Sequence, residues 1–223
     1  MISLKNTLMA AVGLVALAVP VSAEFELSLY GGTQSAPHSN VTGHDLAVGG
    51  NPDFSFTAGW EGRSGAMPPY YGLRGMWWQS SGWGFGVDFT HSKIYADDAT
   101  LNDSGFEVLE FSDGLNNLTL NIGRRWENAG SRYTPYVQAG VGVILPHVEV
   151  QTTAAAPRTF EYQYAGPSVA LVAGLDYELN DRWSVFGEYK FTYSMLDVDL
   201  VGGGDLQTDV ITNALNIGVT LTF

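Results

Sequence analysis

The chain contains no cysteine, which excludes a disulfide framework, a thiol nucleophile and a thiolate metal site, and leaves stability to packing and backbone pairing. Positive charge is also scarce: 10 Lys and Arg stand against 23 Asp and Glu, for a net charge of −13. No Lys/Arg-rich stripe exists to displace phosphate counterions, so no nucleic-acid partner is expected. Charged residues of both signs make up only 15% of the chain, whereas aromatics reach 13% and glycines number 27. That balance is too apolar for disorder and too rich in turn formers for a helix bundle. Long hydrophobic runs are missing as well. The one candidate, Leu8 to Val19, is shorter than the roughly 20 residues a helix needs to cross a bilayer.

What the short run does match is a leader. Lys5 precedes it, and it ends in the small-residue pattern Val21-Ser22-Ala23, as a cleaved signal peptide over residues 1–23 would. The mature part is then a single domain over 24–223 and, having lost Lys5, its charge moves from −13 to −14.

The remaining sequence is dominated by period-two alternation. Leu215, Ile217, Val219, Leu221 and Phe223 alternate with Asn216, Gly218, Thr220 and Thr222; Trp83, Phe85, Val87 and Phe89 alternate with Gly84, Gly86, Asp88 and Thr90. Similar runs start near Leu27, Leu118, Val137 and Val169. Each covers about 10 residues, the length a tilted strand needs to cross a membrane and more than the roughly 5 to 6 usual in soluble sheets. The pattern predicts an all-β protein: an eight-stranded antiparallel transmembrane β-barrel in the outer membrane of a Gram-negative cell. The alternating last strand ending in Phe223 is the segment expected to engage the barrel-insertion machinery.

Connection lengths orient the barrel, because such barrels have short periplasmic turns and longer outer loops. Gln79–Gly82, Glu127–Arg132 and Asn180–Arg182 are short, and Trp83, Tyr133 and Trp183 follow them where an aromatic belt belongs. Outer loops are then expected at Ala36–Pro52, Tyr95–Asp113, His147–Tyr164 and Asp197–Gln207, with both termini periplasmic. Phe54–Glu61 and Tyr70–Trp78 make nine strand-like segments where matching termini require an even number. One long second strand, interrupted at Met67-Pro68-Pro69, resolves this, since proline cannot donate to a ladder; two strands and a ten-stranded barrel are the other solution.

Side chains fill the bore of a barrel this narrow, and Arg74, Asp88, Arg125, Glu188 and Lys190 have inward parity. They are expected to pair as a polar plug, which disfavours a pore. His38, His44, His91 and His147 all map to the outer end. Grouped with Glu61, Asp88 or Glu149, they offer the donors for a transition metal or for acid–base work. The stretch from Tyr95 to Asp113 carries six acidic residues and no Lys or Arg; a solvated loop is the simplest expectation, as its spacing fits no calcium loop.

At Leu29-Tyr30-Gly31-Gly32, Ala36-Pro37-His38-Ser39, Gly59-Trp60-Glu61-Gly62-Arg63, Pro68-Pro69-Tyr70-Tyr71-Gly72-Leu73-Arg74 and Asp88-Phe89-Thr90-His91-Ser92-Lys93, the chain resembles the lipid A oxidases, outer-membrane barrels of α-proteobacteria. The resemblance extends through Phe186-Gly187-Glu188-Tyr189-Lys190 and Gly202-Gly203-Gly204. It implies oxidation of the proximal glucosamine of lipid A to 2-aminogluconate, with molecular oxygen as co-substrate, a divalent metal ion as cofactor, and lipid A among outer-membrane lipids as the partner. On that reading His38 and His91 are the metal ligands or bases, Glu61 is their carboxylate partner, and Arg63 and Arg74 contact lipid A phosphate. The competing readings are a non-catalytic envelope or loop-binding barrel and a lipid A deacylase. The deacylase uses a His and Ser spaced two apart, whereas His38-Ser39 and His91-Ser92 are adjacent here.

Overall fold

The computed structural model describes residues 24–223; the expected leader over 1–23 lies outside them. Twelve strands and one helix are found among the described residues: β1 (Glu24–Ser35), β2 (Ser39–Asp45), β3 (Asp53–Ala58), β4 (Trp60–Glu61), β5 (Tyr71–Trp78), β6 (Trp83–Ala96), α1 (Asp98–Ser104), β7 (Val108–Arg125), β8 (Tyr133–Gln151), β9 (Thr159–Tyr162), β10 (Gly166–Asn180), β11 (Trp183–Asp199) and β12 (Gly204–Thr222). Eight of them close a ring in the order β1-β5-β6-β7-β8-β10-β11-β12, and β12 returns to β1. All ring pairings are antiparallel.

The surplus segment is accounted for by two interrupted strands. Along β12, β1 pairs from Asn213 to Thr222 and β2 continues the same edge from Gly204 to Thr208. Along β6, β5 pairs up to His91 and β4 resumes at Tyr95 and Ala96. The second strand is therefore one interrupted wall element, and its upper part, β3, pairs with β2. The interruption, residues 62–70, includes a cis Met67–Pro68 peptide. It fills the wall between β1 and β6: Ser64 Oγ accepts from Gln34 N (2.9 Å), and Lys93 Nζ donates to Ala66 O (3.2 Å).

Alternation sorts the side chains as the pleat requires. Outward positions such as Leu29, Leu73, Phe85, Leu120, Val141, Leu171 and Ile217 form an exposed apolar belt around the barrel. A belt this continuous is not sustained in water and suits hydrocarbon. At the end that carries both termini it is edged by Trp77, Trp83, Tyr133 and Trp183, and at the far end by Tyr71, Phe160 and Tyr162.

Inside, the filling changes from polar to apolar along the axis. The middle holds Arg74, Asp88, Glu188 and Lys190, and glycines opposite the large rings give them room. A Cβ on Gly72 would sit 2.0 Å from Cζ of Tyr30, and one on Gly174 would sit 2.4 Å from Cζ of Tyr136. Beyond the plug, the far end is an apolar core of Val41, Trp60, Ile94, Leu109, Phe111, Val148, Val198 and Leu206. The segments expected as outer loops are thus about half strand. The acidic stretch from Tyr95 is not a solvated loop: Phe106, Leu109 and Phe111 anchor it in that core, and α1 covers it. α1 starts where the Asp97 side chain accepts from Thr100 N and ends at Gly105 in the left-handed region (φ 77°).

Candidate functional site

Among the described residues, three larger groupings of chemistry-bearing side chains stand apart from one another, besides the isolated pair of His44 with Asp205. The first is the plug. Arg74 sits opposite Asp88 across β5 and β6, donates Nε to Asp88 Oδ2 at 2.9 Å, and forks onto Glu188 at 2.7 and 2.8 Å. Lys190 Nζ reaches Asp88 Oδ2 at 2.9 Å, while Tyr30 and Tyr136 hydroxyls donate to Asp88 Oδ1 and Glu188 Oε2 at 2.7 and 2.6 Å. Two cations thus meet two anions with their hydrogen-bonding capacity largely satisfied, which is the condition under which buried charge is tolerated. The network closes the bore, as inward parity predicted for Arg74, Asp88, Glu188 and Lys190. It also removes Arg74 from the set of phosphate contacts and Asp88 from the carboxylates available to the histidines, since both are sealed in the interior.

The second is a cavity of about 540 Å³ below the plug, open at the end with the termini and lined by Glu24, Glu26, Trp78, Arg125, Asp176 and Glu178. Arg125 there bonds Glu26 Oε1 at 2.7 Å, so this fifth inward charge is paired too.

The third lies on the outside of the wall at the far end, across β6, β7 and β8. Ser92 and Ile94 point into the barrel, which turns His91, Lys93 and Tyr95 outward; likewise Val148 and Val150 point in and turn His147 and Glu149 out. β7 departs from simple alternation. Its four steps from Phe111 to Leu115 face only two steps of β6, from Ile94 to Ser92, so Ser112, Asp113 and Gly114 bulge from the ladder. Phe111 and Leu115 are both core residues, and strict parity would place Asp113 inside with them. The bulge re-aims it outward instead, with its side chain 52% exposed and Oδ2 3.9 Å from His147 Nδ1.

Ion pairs and rings knit this surface together. The Arg63 guanidinium lies 4.4 Å from the Tyr95 ring centre and pairs with Glu61 at 2.8 Å. Arg63 has φ 37°, the one non-glycine in the left-handed region among the described residues. Glu110 stands directly opposite Glu149. Ser112 Oγ donates to Glu149 Oε1 at 2.9 Å, and Arg158 pairs with Glu149 Oε2. Burial, and then the Glu149 carboxylate, push the Glu110 carboxyl above its ordinary value. His91 stacks on Tyr71 with ring centres 5.1 Å apart, and its Nδ1 is 2.9 Å from Asn116 Oδ1.

The chain matches the outer membrane protein beta-barrel domain family over residues 7–223. It belongs to that family. Among solved structures, neisserial surface protein A is similar at 11% identity, covering 89% of this chain and 97% of that one with a TM-score of 0.50. The outer membrane protein AlkL is similar at 16% identity, covering 95% of each chain with a TM-score of 0.50. Identities this low establish a shared fold. No curated protein matches the chain.

As an outer-membrane barrel, the protein places its belt in hydrocarbon and its far-end wall patch at the membrane surface. His91 and His147 come two residues beyond the belt positions Phe89 and Leu145, about 6.6 Å along a strand. Of the residues expected to form the site, His91, Glu61 and Arg63 are in this patch. His38 is exposed in the short break between β1 and β2, close enough to Asp97 to lower that carboxyl after its bonds to Thr100. Sequence reasoning missed Lys93, Arg158 and Asp113. The His147-Val148-Glu149-Val150 alternation pairs two donors on one face, but nothing local announces the β7 bulge.

Proposed function

We propose that the far end faces the outside of the cell, with both termini in the periplasm, and that the wall patch binds the headgroup of lipid A and oxidises its proximal glucosamine with molecular oxygen. The observation that carries this reading is where the cations stand. Among the described residues, Arg63, Lys93 and Arg158 are the Lys and Arg of the far end; Arg63 and Arg158 are exposed on the patch just above the apolar belt, while Lys93 lies buried beneath it and bonds Ala66 O. Sugars and phosphates take that level when acyl chains lie along the barrel wall. The partner is the outer-membrane lipid itself.

Each group has a role in this reading. Arg63, held by Glu61 and Tyr95, takes a phosphate, because guanidinium suits planar, forked recognition of oxyanions. Tyr71, Phe160 and Tyr162 line the boundary between acyl chains and sugar. His91 donates Nδ1–H to Asn116 and leaves Nε2 basic but sealed beneath the surface of the patch. Oxidation requires a free anomeric hydroxyl: C1 loses two electrons and two protons to O2, giving hydrogen peroxide and a lactone, and water opens the lactone to the acid. The sugar gains one oxygen atom. His38 is not part of this arrangement.

A second reading keeps the same patch as a lipid A anchor without chemistry, and the density of ion pairs on it favours that over a freely solvated rim. Mass spectrometry of lipid A from a host lacking the activity, with and without the barrel and with insertion verified by heat-modifiable mobility, separates the two. A proximal sugar heavier by one oxygen supports the oxidase. Unchanged lipid A under oxygen and divalent metals leaves the anchor.

A further inference from the structure

We propose that Asp113, His147 and Glu149 form a divalent transition-metal site on the outside of the wall. One donor atom from each lies within 4.8 Å of the others. Two of the three, His147 and Glu149, lie two residues apart on one face of β8 and are buried, with side chains 6% exposed. The third arrives from β7 only because of its bulge.

The decisive atom is His147 Nδ1. It is sealed from solvent and has no hydrogen-bond partner, although Glu149 Oε1 is 3.3 Å away and Asp113 Oδ2 is 3.9 Å away. A buried polar nitrogen left in that state is costly. The spacing has a simple explanation in metal geometry: two donors each about 2.1 Å from a tetrahedral ion are about 3.4 Å apart. Asp113, half exposed on a bulge, has the freedom to close the remaining gap, about 0.5 Å toward His147 and up to about 1.4 Å for the widest donor pair. Around the site, the Phe160 and Tyr162 rings contact the imidazole edge-on, with centres at 4.5 and 4.7 Å. They fix the ring plane and shield the donors. Ser112 and Arg158 hold the Glu149 carboxylate, as outer partners of a ligand do. One imidazole and two carboxylates suit a first-row ion such as iron(II), manganese(II), copper(II) or zinc(II), with positions left open for water or substrate.

Metal binding at this site stands without any activity. Its participation in oxidation rests on the lipid A reading above, and there a bound iron, manganese or copper ion would supply a Lewis-acidic and redox-active centre at headgroup level. The ligands are then His147, Asp113 and Glu149 rather than the expected pair His38 and His91.

The test uses the full barrel extracted from membranes in detergent, stripped with chelator and titrated with copper(II) and manganese(II). One ion per chain is expected, with coupling to a single imidazole nitrogen in the copper electron paramagnetic resonance spectrum. His147→Ala should weaken binding by at least about 100-fold, since even groups behind a ligand are worth 10- to 100-fold. Asp113→Asn should weaken it while retaining heat-modifiable mobility, which covers the case where the histidine variant misfolds. His38→Ala and His91→Ala should bind as the parent does. The site is overturned if the parent binds no tighter than His147→Ala and Asp113→Asn, or if binding follows His38 or His91. Metal bound with lipid A unchanged would remove the oxidase and keep the site. Lipid A oxidised equally by a folded Asp113→Asn barrel that binds no metal would keep both the oxidase and the site and take the ion out of the reaction.

Discussion

Glu110 and Glu149 face each other directly across β7 and β8, two carboxylates in register on the outer wall with Ser112 between them. Like charges at opposed positions destabilise a sheet. Glu110→Gln should therefore stabilise the chelator-treated barrel by roughly 0.5 kcal/mol. The pH sign follows from its raised pKa. The folded state keeps a proton that the unfolded chain has released, so this carboxyl costs stability as pH rises through and beyond the ordinary glutamate range, and costs nothing below it. Urea unfolding in vesicles, followed by tryptophan fluorescence, should show the variant's advantage at pH 8 and its disappearance near the acid end. An advantage growing toward acid would contradict the assignment.

Breaking the plug from one side is expected to be far more damaging. Arg74→Met leaves Asp88 and Glu188 with less cationic partnering in a dry bore, and loss of one partner of a buried pair costs about 3–5 kcal/mol. The same urea titration should show a large drop in midpoint or failure to fold.

Gly72 lies under Tyr30 with no space for a methyl group. Gly72→Ala should cost about 1–3 kcal/mol through forced displacement of the ring. Displacing the Tyr30 hydroxyl from Asp88 should make this variant and Tyr30→Phe less than additive in combination, which a double-mutant cycle reads directly.

Asp97 caps α1 and Thr100 Oγ1 accepts from Gly59 N, so the helix fastens the second wall strand at the far end. Asp97→Ala should speed proteolysis between residues 97 and 107 several-fold while leaving the barrel's heat-modifiable mobility intact.

On the lipid A reading, Arg63→Ala removes one charge-assisted contact to phosphate, worth about 1.5–3 kcal/mol. It should raise KM for lipid A by about tenfold or more with kcat little changed. A fall in kcat alone would place Arg63 elsewhere in the mechanism.

Strand alternation, the apolar belt, the aromatic edges at Trp83, Tyr133 and Trp183, and the inward parity of the plug were all legible in the amino-acid sequence. They follow from a period of two that the pleat imposes residue by residue, and an eight-stranded ring is what such runs close into. Tertiary structure decided everything that depends on which segment lies beside which. It turned the expected outer loops into a packed apolar cap, because Phe106, Leu109 and Phe111 find partners only on other strands. It paired Arg74 with Glu188 across the bore, a partnership parity alone does not specify. It brought Asp113, against its parity, beside His147 and Glu149, because a bulge is a mismatch between neighbouring strands and so is written in neither strand alone.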